Sequence, residues 1–73
     1  MSSRDQGTAA LVRMANQIAG NMAHLPHDEA VTAVAKHLRD FWHPSMRESI
    51  LAYVDDGGDG LVPVAREAVE RLR

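Results

Sequence analysis

The chain has 73 residues, a formal net charge of −2 and no cysteine. A chain of this length forms a single domain, residues 1–73, and the missing cysteines exclude disulfides and thiolate metal sites. The basic residues are scattered, which argues against a nucleic-acid binding face, and no apolar run approaches the ~20 residues that a membrane span needs. We therefore expect a cytoplasmic protein that binds neither nucleic acid nor membrane.

The first predicted helix runs from about Thr8 to Leu25. It follows a polar segment, residues 1–7, which we expect to be a disordered tail. Pro26 discourages continuation of the helix. The large apolar residues recur at helical spacing and form one stripe, which consists of Leu11, Met14, Ile18, Met22 and Leu25.

A second apolar surface lies beside this stripe and consists of Val12, Ala19 and Ala23, with Asn16 among them. Together the apolar positions span roughly 200° of the helix, which is wider than a single core-facing stripe. Two interpretations remain open. Either the helix packs on two sides, one of them against another protein, or it is the central helix of the bundle.

The second predicted helix runs from about His27 to Trp42 and has an apolar stripe of Val31, Val34, Leu38 and Phe41. This periodicity predicts that Phe41 belongs to the core. Trp42 lies at the margin of the stripe, where its ring is either buried with a bonded indole N–H or exposed as an anchor for a partner. In the second case Arg47, one turn on, pairs with a carboxylate of the partner.

Two shorter helices complete the prediction. Pro44 suits the first turn of a third helix, whose apolar side consists of Met46, Ile50, Tyr53 and Val54. Residues 55–60 end that helix, because Gly57 or Gly58 can take a left-handed conformation. A fourth helix starts near Leu61, and no segment shows the alternation of a strand. The predicted fold class is all-α, a small bundle of about four short helices.

The chain lacks recognisable catalytic spacing. Its four histidines do not converge as the ligands of a zinc site would. Residues 55–60 resemble a calcium-binding loop, but Arg66 stands where the bidentate Glu is needed. Ser45 and Ser49 have no oriented His and acid that spacing can establish. We predict that the chain contains no catalytic, cofactor-binding or metal site.

Four motifs resemble the small delta subunit of NAD-dependent formate dehydrogenase. The resemblance covers most of the chain between Leu11 and Leu72, and the Phe-Trp-x-Pro-x-Met-Arg element is the most specific part. The motifs are Leu11-Val12-Arg13-Met14-Ala15-Asn16-Gln17-Ile18-Ala19, His24-Leu25-Pro26, Phe41-Trp42-x-Pro44-x-Met46-Arg47 and Gly57-Gly58-x-Gly60-Leu61.

The resemblance implies a non-catalytic accessory subunit that docks on the catalytic alpha subunit of a cytoplasmic complex and supports its assembly or stability. It also implies that alpha carries a molybdenum or tungsten pterin and oxidises formate. Beta and gamma then pass electrons through FMN and iron–sulfur clusters to NAD+, and delta binds no cofactor. An acidic residue is common in the family where this chain has His43, and His is a weaker N-cap than Asp.

The predicted partner interface combines the second surface of helix 1 with the aromatic corner. Its residues are Val12, Arg13, Asn16, Gln17, Ala19, Ala23, Trp42, Met46 and Arg47. Two other functions fit the sequence. One is a transient assembly factor that binds the catalytic subunit during cofactor insertion, and the other is a self-associating helical module that forms a homodimer when isolated.

Overall fold

The computed structural model describes residues 3–73, with side chains from residue 7 onward. Its four helices are α1 (Ser3–Asn21), α2 (His27–Phe41), α3 (Pro44–Asp55) and α4 (Pro63–Glu70). This part of the chain contains no strand, so the predicted all-α bundle of four helices is confirmed. None of these helices combines the length and the apolarity that crossing a membrane requires.

The boundaries of α1 differ from the prediction at both ends. The helix begins at Ser3 instead of Thr8 and ends at Asn21 instead of Leu25. Tight turns replace its last predicted turn, because the Met22 N–H donates to the Ala19 carbonyl (3.1 Å). The disordered tail predicted for residues 1–7 includes residues 1 and 2, which lie outside the described part of the chain, and it stays a prediction.

The core lies where all four helices meet. α1 contacts each of the other three helices, and α2 packs mainly against α4. The largest fully buried side chains come from α2, α3 and α4, and they are Leu38, Ile50, Val31, Val34 and Val69. α1 thus packs on more than one side within the chain, as α4 also does, and this accounts for part of the wide apolar surface seen in its sequence.

The buried face of α1 is its small-residue side. Leu11, Ala15 and Ala19 are buried, whereas Met14 of the predicted stripe is 40% exposed. Small side chains let the three neighbouring helices approach the α1 backbone closely, while a continuous row of large residues would hold them away. The core-facing side is thus rotated toward the alanines, and Ala19 belongs to the core instead of to an open surface.

The aromatic corner reverses one prediction. Phe41 is 74% exposed and Trp42 is 5% exposed, so the prediction that Phe41 belongs to the core is wrong. α2 ends at Phe41, and Trp42 has an extended backbone (φ −87°, ψ 137°). Trp42 therefore lies beyond the helix, where helical periodicity no longer predicts which side chains face inward, and its larger ring fills the core. The Phe41 ring instead lies on the His37 ring, with centroids 4.8 Å apart.

Candidate functional site

The predicted interface residues fall into two groups in the structure. One group, which we call the corner, consists of Trp42, Met46 and Arg47 between α2 and α3. The other, which we call the α1 group, lies on α1 and in the turn that follows it, and consists of Val12, Arg13, Asn16, Gln17, Ala19 and Ala23. The two groups have different physical roles.

The corner serves the fold. Trp42 is buried by the chain itself, so no exposed ring remains to anchor a partner there. Arg47 donates from Nη1 to the carbonyls of Trp42 (2.6 Å) and Arg39 (3.1 Å). The last carbonyls of a helix lack partners within it, and a cation at that end also suits the helix dipole. Arg47 therefore closes the carboxyl end of α2 through its Nη1 group.

Arginines close the later helices in the same way. Each donates to a carbonyl at or just beyond the carboxyl end of a helix, where the backbone is short of partners. The three contacts are Arg47 Nη1 to Trp42 O (2.6 Å), Arg66 Nη2 to Gly57 O (2.7 Å) and Arg39 Nη2 to Arg71 O (2.8 Å). These guanidinium groups are accordingly used within the chain.

His43 fills the N-cap position of α3. Its Nδ1 accepts a hydrogen bond from the Ser45 N–H (3.1 Å), which satisfies one of the unpaired donors of the first helical turn. Pro44 occupies the first turn, as predicted. His43 therefore caps α3.

The α1 group surrounds a clamp. Asn16 donates from Nδ2 to the Gly60 carbonyl (2.8 Å), and its Oδ1 accepts from the Val62 N–H (2.9 Å). Both ends of one amide thus hold the segment that leads into α4. Gly60 has a φ of +92°, and a Cβ there would meet Val12 Cγ1 at 3.8 Å. Asn16 therefore fixes the approach of this segment to α1, a role that helical spacing alone does not reveal.

An open groove of about 340 Å³ runs beside the clamp, between α1 and the start of α4. Its surface is mainly apolar, and Val62 is 41% exposed. The residues that line this α1–α4 groove are Asn16, Ala19, Gly20, Ala23, His27, Val62, Pro63 and Val64. Sequence reasoning identified three of the α1 residues and missed the others. The one available signal was Val62, an apolar residue immediately before the proline that opens α4.

Not every charged side chain around the α1–α4 groove has a partner among the described residues. His27 Nε2 contacts Glu67 Oε2 at one edge. Arg13 is exposed and makes no hydrogen bond or ion pair within the described residues, whereas the arginines from Arg39 onward all donate within the chain. Gln17, also exposed, follows Arg13 by one turn. A positive charge therefore stands unneutralised on α1.

A further apolar depression, which we call the α1–α2 surface, lies between α2 and the turn that follows α1. Met22 and Phe41 line this shallow depression of about 220 Å³, with Lys36 and Asp40 at its edge. Lys36 Nζ donates to Asp40 Oδ2 (2.6 Å), so these two charges satisfy each other. Among the described residues no group of three or more His, Asp or Glu side chains is placed to hold a metal ion.

The model of one protein family, described as the NADH-dependent formate dehydrogenase delta subunit FdsD, matches residues 10–69. The chain belongs to this family. The delta-subunit match spans all of α2, α3 and the clamp, and it includes Asn16, Trp42, Arg47 and Gly60. No curated protein and no solved structure matches the chain.

Proposed function

We propose that the chain is a non-catalytic accessory subunit that docks on the catalytic subunit of a formate dehydrogenase complex and supports its assembly or stability. The observation that carries this proposal is the delta-subunit family match over residues 10–69. That family is defined by its place in an enzyme complex, so its members function in contact with larger subunits.

The use of the polar side chains supports an accessory role. Asn16, His43, Arg47 and Arg66 all bond to backbone groups of the chain itself. Polar groups that are committed to the fold are poorly available to bind a substrate or to transfer a proton, since catalysis requires a group directed at the reacting atoms. The exposed surface of the chain is therefore what remains available to contact another molecule.

The size of the molecule limits how it can dock. Its principal extents are 38 × 21 × 18 Å, so one broad face is similar in area to the ~800 Å² per partner that a standard interface buries. Stable association therefore requires most of one face. The residues proposed for this interface are those of the α1 group other than the buried Ala19, since the corner is used by the fold.

We infer that this chain holds no cofactor of its own. The molybdenum or tungsten pterin, the iron–sulfur clusters, FMN and the NAD site are then carried by the larger subunits. The chain's contribution is apolar surface, which stabilises association by about 25 cal/mol per Å² buried, less the entropy lost on ordering both partners.

Purification of the enzyme tests the proposal. We expect this chain to copurify with the catalytic subunit in a fixed ratio, and we expect complex prepared without it to lose subunits or activity faster on dilution and heating. A chain that associates only with cofactor-free catalytic subunit would instead be a transient assembly factor. A chain that never associates with the enzyme would overturn the proposal.

A further inference from the structure

We propose that the α1–α4 groove is the docking surface, and that it receives an apolar segment of the catalytic subunit, which carries a carboxylate at its edge beside Arg13. This inference rests on the proposed function, because it names the surface through which that docking occurs. Three observations carry it. Val62 is an apolar residue at the N-cap of α4, the lining of the groove is neutral, and Arg13 has no partner among the described residues.

Val62 occupies a position that a polar residue would serve better. It is the N-cap of α4 and makes no side-chain cap hydrogen bond, although Ser, Thr, Asp and Asn are preferred there because they accept from the first helical N–H groups. It is also 41% exposed. The Asn16 clamp fixes its backbone N–H at 2.9 Å from Oδ1. An apolar side chain is thus held in a defined place on the surface, which suits a contact residue.

The lining of the groove determines the chemistry of its occupant. His27 is its one titratable side chain, and Glu67 contacts His27 at the edge. A charged group that entered this groove would lose water without gaining an opposite charge, and that loss is unfavourable. The groove therefore fits an apolar segment, for example one face of a helix.

Arg13 supplies the specific charge. It lies three residues before Asn16 and seven before Gly20, which places all three on neighbouring positions of one helix face. In the described part of the chain its guanidinium has no partner. A carboxylate on the docked segment would form the forked pair that arginine geometry favours. Charge complementarity thus fixes both the sign of the partner's edge and its position.

Gly20 makes the groove testable without damaging the fold. A Cβ built at Gly20 meets nothing within 4 Å, and the same is true of Gly7 on the same helix. Gly7 lines a different depression, between α1 and α3. Replacing either glycine inside a helix with leucine raises helix propensity. The two variants are therefore matched in chemistry and differ only in the groove that the new side chain enters.

The experiment measures binding of the full chain to purified formate dehydrogenase prepared without this subunit. We expect Gly20→Leu to raise the dissociation constant at least about tenfold, as blocking the centre of an interface does, while its melting temperature does not fall. We expect Gly7→Leu to bind like the wild type. Arg13→Glu should also weaken binding, with a smaller loss at high salt, whereas Arg13→Lys should retain most of the affinity.

The outcomes separate the two proposals. A wild-type chain that does not bind the enzyme overturns the proposed function itself. A wild-type chain that binds, with Gly20→Leu binding equally well, overturns only the assignment of the groove. If Phe41→Ser abolishes binding and Gly20→Leu does not, docking occurs on the α1–α2 surface. If Gly20→Leu dissociates a homodimer of the chain, the occupant is a second copy and the present assignment is wrong.

Discussion

The corner and the α1–α4 groove differ in how rare their residues are in the sequence and in how exposed they are in the structure. The rare Trp of the corner is buried, whereas the common residue types of the groove are open to solvent. The corner contains the single Trp of the chain, which directly follows its single Phe, and the Trp and Arg of the corner serve the fold. The groove is lined mostly by Ala, Gly, Val and Pro, with Asn16 and His27 among them, and it is open to solvent. In so small a domain the largest ring is needed inside, because few other side chains can fill the core. The rarity of a residue type in the sequence is therefore a poor guide to the surface that contacts a partner.

The strongest test of this contrast compares Trp42 with its neighbour. Trp42→Ala should lower the free energy of unfolding by about 3–5 kcal/mol, since it leaves a cavity in the core. Phe41→Ala should change it by no more than about 0.5 kcal/mol, as expected for an exposed position. Urea denaturation of the two isolated variants measures both values. Equal losses would contradict the different roles of the two rings.

The clamp should have the next largest effect. Asn16→Ala removes two hydrogen bonds, one to the Gly60 carbonyl and one from the Val62 N–H. At about 0.5–1.5 kcal/mol each, their loss should cost about 1–3 kcal/mol of unfolding free energy. Asn21→Ala, at the exposed end of the same helix, is the matched control and should have little effect. Amide exchange at Val62 provides a local measurement, and unchanged protection in Asn16→Ala would show that the clamp is unimportant.

The two kinds of glycine should respond with opposite signs. Gly58 has a φ of +64°, and a Cβ there would lie 3.0 Å from Arg66 Nη2, so Gly58→Ala should destabilise the fold by about 1–2 kcal/mol. Gly20→Ala, in the open groove, should stabilise it by about 0.5–1 kcal/mol. Thermal unfolding of both variants distinguishes them. A stabilising Gly58→Ala would mean that the turn after α3 differs from the one described.

The cap at the corner offers a smaller, favourable change. His43→Asp places a stronger acceptor and a negative charge at the start of α3, and should stabilise the domain by about 0.5–1 kcal/mol. His43→Ala is the comparison and should destabilise it, because the Ser45 N–H loses its acceptor. If the two variants had equal stability, the N-cap would contribute nothing at this position.

The smallest effect concerns the exposed Asp55–Arg73 pair. A hydrogen bond from the Arg73 guanidinium holds the pKa of the Asp55 carboxyl below its usual 3.8. A lowered folded-state pKa contributes stability above the unfolded pKa, and that contribution is lost as pH falls through the folded value. The melting temperature of Asp55→Asn should therefore fall slightly below that of the wild type near neutral pH and converge with it in acid. A difference that persists unchanged into acid would contradict this assignment.

The helices could largely be predicted from the sequence, whereas their exposed surfaces could not. Pro26, Pro44 and Pro63 mark helix starts directly, because proline restricts the backbone locally. The inward-facing side of α1 depends on how closely the three other helices pack against it. The periodicity of the α1 sequence does not indicate the distances between these helices and α1. The reversal of Phe41 and Trp42 likewise depends on where α2 ends, and helix ends are the least certain part of a pattern.

Only part of the candidate site could be predicted from the sequence, for a similar reason. Asn16, Ala19 and Ala23 can be identified because they lie beside the main apolar stripe of the first helix and widen its apolar surface. Val62 and Pro63 were missed, since they come from a distant segment that meets α1 through the Asn16 amide. Their proximity is a long-range property, and no local spacing encodes it.

The contacts of α1 with all three other helices have a consequence for the lifetime of the free chain. Detachment of α1 exposes side chains on each of its neighbours, so we expect opening of α1 to cost a large part of the free energy of global unfolding. A partner bound along α1 would then slow amide exchange throughout the chain in proportion to its occupancy. Chain that lacks its enzyme would be the more readily degraded, which would couple the abundance of the small subunit to that of the large one.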